Sequence, residues 1–522
     1  MTDDRFSSSS FSPDEESFLQ SARGRRILSV TLELNSDTET PVSTYAKLVG
    51  DEVGFLLESV EQGERWSRYS VLGRRPLGVV SLRNGVVSCD GDLAEELEIV
   101  RTDGIFAALR SLLVNFKVER QDERLLLQNG LVGYLGYDTV REIESLPHQP
   151  RDLKGHPDAS FQLTGEVVVF DHWRQVMTLV KNVLCPIGAD DATIAKLYRV
   201  SKEALVEMVA AIEKPVSRSL VALNDGVRPE IELDRWTTSE QYVDAVRAAK
   251  EHILAGDVFQ VVLSQCFGFQ LQPSPFELYR VLRRVNPSPY MYYLQSPEVS
   301  VVGSSPEALV KLEGRRVISR PIAGTRRRGN DSAHDAVLAA ELLEHPKERA
   351  EHVMLVDLAR NDLGRVGEFG SVSVDEFMTL ERYSHVMHMT SQVSAMIREP
   401  IDAIDVLRAT LPAGTLSGAP KVRAMELIDE LETSKRSIYG GVLGYLGFDG
   451  DLDVAITIRT AVIDRDGKGY VQAGAGIVAD SDPHDEDREC VSKASAVLVA
   501  VALTNSLNDS TAVSLSSEQF DV

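Results

Sequence analysis

The sequence predicts a large α+β protein with antiparallel sheets and helices on their outer faces. Three observations carry that expectation. Runs such as GVVSLRNGVVSCDG and GEVVVFDHWRQVMTLVKNV alternate apolar and polar residues with period two, as strands with one buried face do. Stretches such as TTSEQYVDAVRAAKEHILAGD carry apolar residues at helical spacing. The two kinds are interspersed without the regular strand–helix–strand order of a doubly wound parallel sheet.

The chain begins MTDDRFSSSSFSPDEESF, acidic and serine-rich, without the basic-then-apolar order of a signal peptide. Residues 1–22 read as a disordered tail. An N-terminal domain, 23–227, holds the two alternating runs and closes with a charged helix, SKEALVEMVAAIEK. The polar stretch SRSLVALNDGVRPEIELDRW reads as its connection to a second domain, 228–503. That domain opens with an amphipathic helix stopped by Gly256. Pro346 and Pro483 sit where a proline fits the first turn of a helix. The segment SIYGGVLGYLGFDGDLDVAITIRTAVI reads as a hairpin turning at Asp449-Gly450. GVLGYLGFD within it echoes GLVGYLGYD at 130–138, a hint of related strands. The polar residues 504–522 read as a second disordered tail.

The net charge of -24 argues against nucleic-acid binding, which needs a basic face. An anionic substrate would need a local basic pocket or a bound cation. Cys89, Cys185, Cys266 and Cys490 are widely spaced and form no C-x-x-C pair, so neither a disulfide frame nor a zinc site is expected. No unbroken apolar run of about 18 residues is present, so no membrane span is expected. These features together read as a soluble cytoplasmic protein.

Several segments carry candidate chemistry. SRPIAGTRRRG at 319–329 is arginine-rich and reads as an anion-binding wall, with the inert Ala323 at its centre. EHPKERAEHVMLVDLARNDLG at 344–364 places Glu348 and Glu351 on one helical face. DSDPHDEDRECVSKAS repeats that spacing with Glu486 and Glu489, and Lys493 follows one turn on. Taken singly, each pair reads as a solvated face. Facing each other, they would make a hard oxygen site suited to Mg²⁺. ATLPAGTLSGAPKVRAMELIDELE leads a glycine-rich loop into a helix start, without the G-K-[ST] of a phosphate-binding loop. VQAGAGIVAD would let backbone amides approach a carboxylate. Arg459 lies in the apolar run AITIRTAVI, where it reads as a carboxylate clamp or as half of an internal ion pair. ERYSHVMHMT offers His385 and His388 as candidate bases, and Glu307 follows a strand run in VVGSSPEALVKLEG as a candidate acid.

Read together, the strings GSSPE, RPIAGTRRRG, EHVMLVDLARNDLGRV, YSHVMH, GTLSGAPKVRAMELI, IYGGVLGYLGFDGDLDVAITIRT and QAGAGIV resemble the chorismate-utilising enzymes, most closely their anthranilate synthase component I branch. The resemblance spans about residues 45–500. It implies two layered antiparallel sheets flanked by helices, with the active site in a cleft between subdomains. It implies that Glu351 and Glu489 ligate Mg²⁺, with Glu348 and Glu486 nearby. Tyr439, Arg459 and the amides of Gly474, Ala475 and Gly476 would hold the enolpyruvyl carboxylate of chorismate. Gly324, Thr325, Thr415 and Lys493 would complete the pocket, Thr415 beside the catalytic Glu307 and His388. Ser59, Pro289, Tyr290 and Met291 match a tryptophan feedback site.

The same resemblance bears on the nucleophile. Relatives that attach an enzyme lysine to the ring carry it at the place of Ala323, and relatives that activate water carry a lysine at the place of Gln260. A methyl group cannot act as a covalent nucleophile, and a neutral amide cannot take a proton. Ammonia is therefore the expected nucleophile. It would be supplied by a separate glutamine amidotransferase subunit in a heterotetramer of two copies of each chain. The expected activity converts chorismate and ammonia to anthranilate and pyruvate, the first step of tryptophan biosynthesis. An aminodeoxyisochorismate synthase, a salicylate or isochorismate synthase, and an inactive ligand-binding relative stay open as alternatives.

Overall fold

The computed structural model describes residues 6–7, 10–59, 68–91, 103–118, 125–216, 218, 233–382 and 386–510. Its frame is two antiparallel sheets, of 13 and 11 strands among the described residues. The first contains, in part, Ile27–Asn35, Val176–Leu184, Glu166–Asp171, Tyr69–Arg74, Gly54–Glu58, Tyr290–Gln295, Val299–Ser305, Thr460–Asp464, Lys468–Ile477 and Gln260–Gln270, in that spatial order. The second runs Ile322–Arg327, Val386–Met396, Arg316–Ser319, Ala308–Glu313, Leu452–Ile456, Val442–Gly447, Gly130–Leu135, Ala159–Leu163, Gly78–Arg83 and Val86–Gly91. In each sheet a block of strands from the first half of the chain lies beside a block from the second half, so neither half owns a sheet. The expected boundary at 227/228 lies outside the described residues.

The layering follows from which faces are apolar. Val71, Val167, Tyr292, Leu294 and Val301 of the first sheet meet Val132, Tyr134, Leu443, Tyr445 and Ala455 of the second. The outer face of the first sheet is covered by Tyr45, Leu205, Tyr279 and Val497, all on helices. The outer face of the second is covered by Leu109, Leu363 and Leu407, also on helices. The order is helix, sheet, sheet, helix, as expected. Burying one such side chain is worth roughly 1.5–3 kcal/mol, so the stripes decide the layers.

The echoed sequences turn out to be neighbours. Gly130–Leu135 pairs antiparallel with Val442–Gly447, Gly133 opposite Gly444. The hairpin turns at Gly450, whose φ of 97° suits the glycine.

Three sequence expectations need correction. Residues 10–22 are not a disordered tail: Phe11–Ser12 pairs with Ile27–Asn35, and Glu15–Ser21 is a helix that buries Phe18 completely. Two aromatic anchors offset the ordering of a serine-rich segment. At the other end, helix Pro483–Ser510 runs past residue 504, and Thr504 is fully buried. The Thr504 hydroxyl donates to the Ala500 carbonyl at 2.6 Å, and Asn505 accepts from the Gln272 amide. Residues 511–522 lie outside the described ones. The apolar part of this helix is long enough to cross a bilayer. Its Ala494, Val497, Leu498 and Val501 instead pack into the core of the first sheet. The charged helix placed at 201–214 begins earlier, spanning Asp191–Ile212, because Asp190 caps it by accepting from the Thr193 amide at 2.9 Å.

The chain passes from one sheet to the other at two places that matter for function. Between Val299–Ser305 and Ala308–Glu313 the link is Pro306-Glu307. Between Leu452–Ile456 and Thr460–Asp464 the link is Thr457–Arg459. Glu307 and Arg459 therefore sit on crossovers, where a strand stops satisfying its own backbone and a side chain can turn into the space between sheets.

Candidate active site

Glu307 is buried, and its surroundings make it an acid. Burial pushes its carboxyl up to about 8, against the Thr415 hydrogen bond and the charges of Lys493 and Arg459, which lower it. The Thr415 hydroxyl donates to Glu307 Oε1 at 3.3 Å from the short helix Gly414–Ser417. The Glu307 amide also meets the Ser305 hydroxyl, at 3.4 Å.

Arg459 settles one of the alternatives left by the sequence. No carboxylate among the described residues lies within ion-pair distance of its guanidinium. Burial depresses its pKa, while Tyr439, Glu489 and Glu307 lie near enough to raise it. A half-buried fork of donors with no ion-pair partner among the described residues is suited to an incoming carboxylate. Tyr439 is 5% exposed, and its hydroxyl lies 2.8 Å from where a Cβ on residue 474 would stand.

Strand Lys468–Ile477 supplies backbone donors on the same side. It pairs with Gln260–Gln270 along its whole length, but with Thr460–Asp464 only through Val471. Beyond Val471 one edge has no strand partner among the described residues. The Gly474 carbonyl accepts from Lys493 Nζ at 3.0 Å, which places that residue's backbone groups on the open edge. Opposite it, the Ser264 amide points away from the pair, to Glu432. Strand alternation then puts the Gly476 groups on the open edge and turns those of Ala475 into the ladder opposite Leu263. This corrects the expectation of three cleft-facing amides: Gly474 and Gly476 face the cleft, and Ala475 does not.

The acidic helices meet as expected. The Glu351 carboxyl is raised by burial and by the nearby charges of Glu348 and Glu489. Glu486 is raised by burial and by Glu489. Lys493 pairs with Glu489 at 2.6 Å, and Arg326 with Glu348 at 3.1 Å. Four carboxylates from two helices sharing these two cations are a donor set that fits a hard divalent ion. Among the described residues, however, no three His, Cys, Asp or Glu side chains already converge as a metal-binding group. The carboxylates are gathered here, not locked in a ligand geometry.

Strand Ile322–Arg327 brings the remaining groups. The Thr325 hydroxyl and His388 Nδ1 are 2.8 Å apart across the strand pair. Burial holds the His388 imidazole below its usual range, so it is a neutral base at pH 7. Gly324 has a φ of 68°, and a Cβ there would come within 2.9 Å of a Glu348 oxygen. Ala323 pairs with Met389 beside it, and Gln260 Nε2 lies 2.5 Å from the Cβ position of residue 476. Of the two positions expected to select the nucleophile, Gln260 stands beside Gly476, and Ala323 is one residue from Gly324, which packs on Glu348. Three of the four arginines of this stretch are taken up by internal ion pairs and do not form an anion-binding wall. Arg320 pairs with Glu381, Arg326 with Glu348, and Arg328 with Asp335 at 2.7 Å. They brace the strand internally. His385 lies outside the described residues.

A second cavity, of about 570 Å³, lies between the sheets. Ser59, Pro289, Tyr290 and Met291 all line it, with Glu58, Tyr292 and Asp453. The Ser59 hydroxyl is buried there without a hydrogen-bond partner among the described residues. Burial pushes the Asp453 carboxyl up to about 6, and it accepts from the Tyr290 hydroxyl at 3.1 Å. Sequence reasoning missed Glu58, Tyr292, Ser304, Thr460 and Asp453. Their one visible signal was a polar group inside an otherwise apolar strand run.

Residues 92–499 match the family model described as chorismate binding enzyme. The chain belongs to that family. Anthranilate synthase component 1 of Acetivibrio thermocellus is 45% identical over 482 residues, covering 92% of this chain and 96% of that protein. The protein of the same name from Aquifex aeolicus is 44% identical over 484 residues, covering 91% and 95%. Among solved structures, anthranilate synthase component I from Streptococcus pneumoniae aligns with a TM-score of 0.74 at 33% identity, covering 89% of this chain and 99% of that one. The menaquinone-specific isochorismate synthase of Escherichia coli shares the fold, with a TM-score of 0.66 at 17% identity, covering 93% and 98%. The two-sheet fold of this chorismate-binding enzyme is therefore the family's own.

Proposed function

We propose that this chorismate-binding enzyme is the large subunit of an anthranilate synthase, adding ammonia to chorismate and releasing anthranilate and pyruvate. One observation carries the reading. Buried Glu307, with its proton held up to about 8, lies in the electrostatic reach of Arg459, and neither nucleophile-selecting position carries an amine.

Chorismate brings two carboxylates. Arg459, Tyr439 and the open-edge amides of Gly474 and Gly476 would take the enolpyruvyl carboxylate. Glu351 and Glu489 would hold Mg²⁺, with Glu348 and Glu486 close by, and the ion would neutralise the ring carboxylate. Glu307 protonates the departing C4 hydroxyl as ammonia bonds to C2, and Thr415 orients the acid. His388, steered by Thr325, assists loss of the C2 proton as pyruvate leaves and the ring becomes aromatic. Lys493 tethers the Glu489 helix to the Gly474 strand and keeps the two carboxylate subsites in register.

Ammonia would come from a glutamine amidotransferase partner, two copies of each chain forming the assembly. The second cavity, with Pro289, Tyr290, Met291 and a Ser59 hydroxyl that has no partner among the described residues, would take tryptophan as feedback inhibitor. Four unpaired thiols suit a cytoplasmic location. The test is product identification from chorismate, Mg²⁺ and ammonium at alkaline pH. Blue-fluorescent anthranilate with stoichiometric pyruvate is expected. An aminated adduct without pyruvate would mark an aminodeoxyisochorismate synthase, and salicylate or isochorismate would mark a water-using enzyme.

A further inference from the structure

One strand pair joins the second cavity to the cleft. Tyr290–Gln295 pairs with Val299–Ser305, placing Met291 opposite Ser304 and Tyr292 opposite Gly303. Tyr290, Met291 and Tyr292 line the cavity, while Ser304 and Ser305 run directly into Glu307. The Tyr292 ring lies across Gly303, where a Cβ would come within 2.0 Å of Tyr292 Cε2. That lack of a side chain lets the ring reach past its own partner strand. Its hydroxyl meets Thr460 Oγ1 at 2.6 Å. Thr460 gives its own proton to the Ile458 carbonyl at 2.8 Å, so Tyr292 is the donor.

Between Ile458 and Thr460 stands Arg459, with a φ of 52°. A left-handed backbone on a residue with a Cβ costs on the order of 1 kcal/mol or more and lasts only where neighbours fix it. Thr457, at the start of the turn, is tied to the Ile438, Gly440 and Gly441 backbone, and two further bonds hold the Arg459 end. The Ser304 amide donates to the Arg459 carbonyl at 3.2 Å, and the Thr460 hydroxyl bridges to Ile458. The Ser304 hydroxyl in turn donates to the Asn286 carbonyl and lies 2.9 Å from the Ser288 hydroxyl, in the loop that delivers Pro289 to the cavity. The end of the turn that aims the guanidinium is thus held from the cavity side.

We propose that Tyr292 is a positioning residue for Arg459, and that a ligand in the second cavity acts on the carboxylate subsite through the Tyr292–Thr460 hydrogen bond. The inference rests on reading Arg459 as the carboxylate donor and the cavity as a tryptophan site. Displacing Tyr292 releases the turn, and a substrate carboxylate must then reorder Arg459 on binding. The effect is on chorismate affinity, not on proton transfer at Glu307.

The test is Tyr292→Phe, which keeps the ring and removes the hydroxyl, alongside Thr460→Val. In each single variant the chorismate KM should rise about 3- to 10-fold, the worth of one buried hydrogen bond, while kcat moves less than about 2-fold. The double variant should be no worse than Thr460→Val alone, because that change already removes the Tyr292 bond together with the Thr460–Ile458 bond. Tryptophan should still bind Tyr292→Phe in calorimetry but raise the chorismate KM at least about 3-fold less than it does in the wild type. An unchanged KM, or KM effects that multiply in the double variant, overturns the positioning role. If wild-type protein binds no tryptophan, the effector reading and the coupling both fall, and the KM comparison alone decides the positioning role.

Discussion

Replacing Glu307 with glutamine tests the acid role and its physical origin together. The side chains are nearly the same size, so the buried space stays filled, but the amide can supply no proton to a leaving hydroxyl. At pH 7 a group titrating near 8 is about nine-tenths protonated, so the wild-type acid is almost fully loaded. Loss of a positioned general acid should lower kcat by roughly 10²- to 10⁴-fold. The stability effect has the opposite sign. The folded carboxyl holds its proton to about 8 from an ordinary value of 4.5, so between those values the native state binds more protons than the unfolded one. Wild-type stability therefore falls as pH rises through that window, by up to about 5 kcal/mol from this site. Glutamine carries no such penalty. Urea melts of both proteins at pH 5 and pH 9 should show little difference at the lower pH and a more stable variant at the higher. A variant with near-normal turnover, or one equally stable relative to wild type at both pH values, would refute the reasoning.

Other expectations follow from the same geometry. Gly324→Ala forces a side chain into a left-handed backbone and against a Glu348 oxygen; it should cost about 1–2 kcal/mol of stability and raise the Mg²⁺ concentration needed for half-activity, measured by metal titration. Glu351→Gln or Glu489→Gln should weaken magnesium dependence and cut turnover severely, and near-normal activity in either would remove that residue from the metal site. Gln260→Lys places an amine beside Gly476 at the cleft; ammonia-dependent product should fall and a water-derived product should appear on chromatography. Ser59→Ala should lower tryptophan sensitivity several-fold while uninhibited turnover stays within about 2-fold, read from inhibition curves.

Much of the site was legible because its chemistry uses residue types that stand out locally. Paired glutamates three apart, prolines opening their helices, and an arginine inside an apolar run are visible without any contact map. The layers were legible because period-two and helical stripes are strong signals. What could not be read was partnership across the fold. The arginines of 319–329 looked available, yet carboxylates 7 to 61 positions away neutralise Arg320, Arg326 and Arg328. The direction of the Ala475 amide depends on which edge of its strand is paired, a fact of the sheet and not of GAG. Residues 10–22 looked polar because serines outnumber the two phenylalanines that anchor them. The link through Tyr292 and Thr460 spans 168 positions and rests on a hydroxyl in a run of tyrosines that otherwise reads as core.

The most direct test supplies ¹⁵N-ammonium and chorismate to the magnesium-loaded enzyme in H₂¹⁸O and weighs both the product and the protein. Selection of ammonia by a cleft with no amine at positions 260 and 323 predicts anthranilate carrying ¹⁵N, no ¹⁸O on its ring, and an unmodified protein mass. A ring-hydroxylated product bearing ¹⁸O, or a substrate fragment attached to the chain, would contradict it.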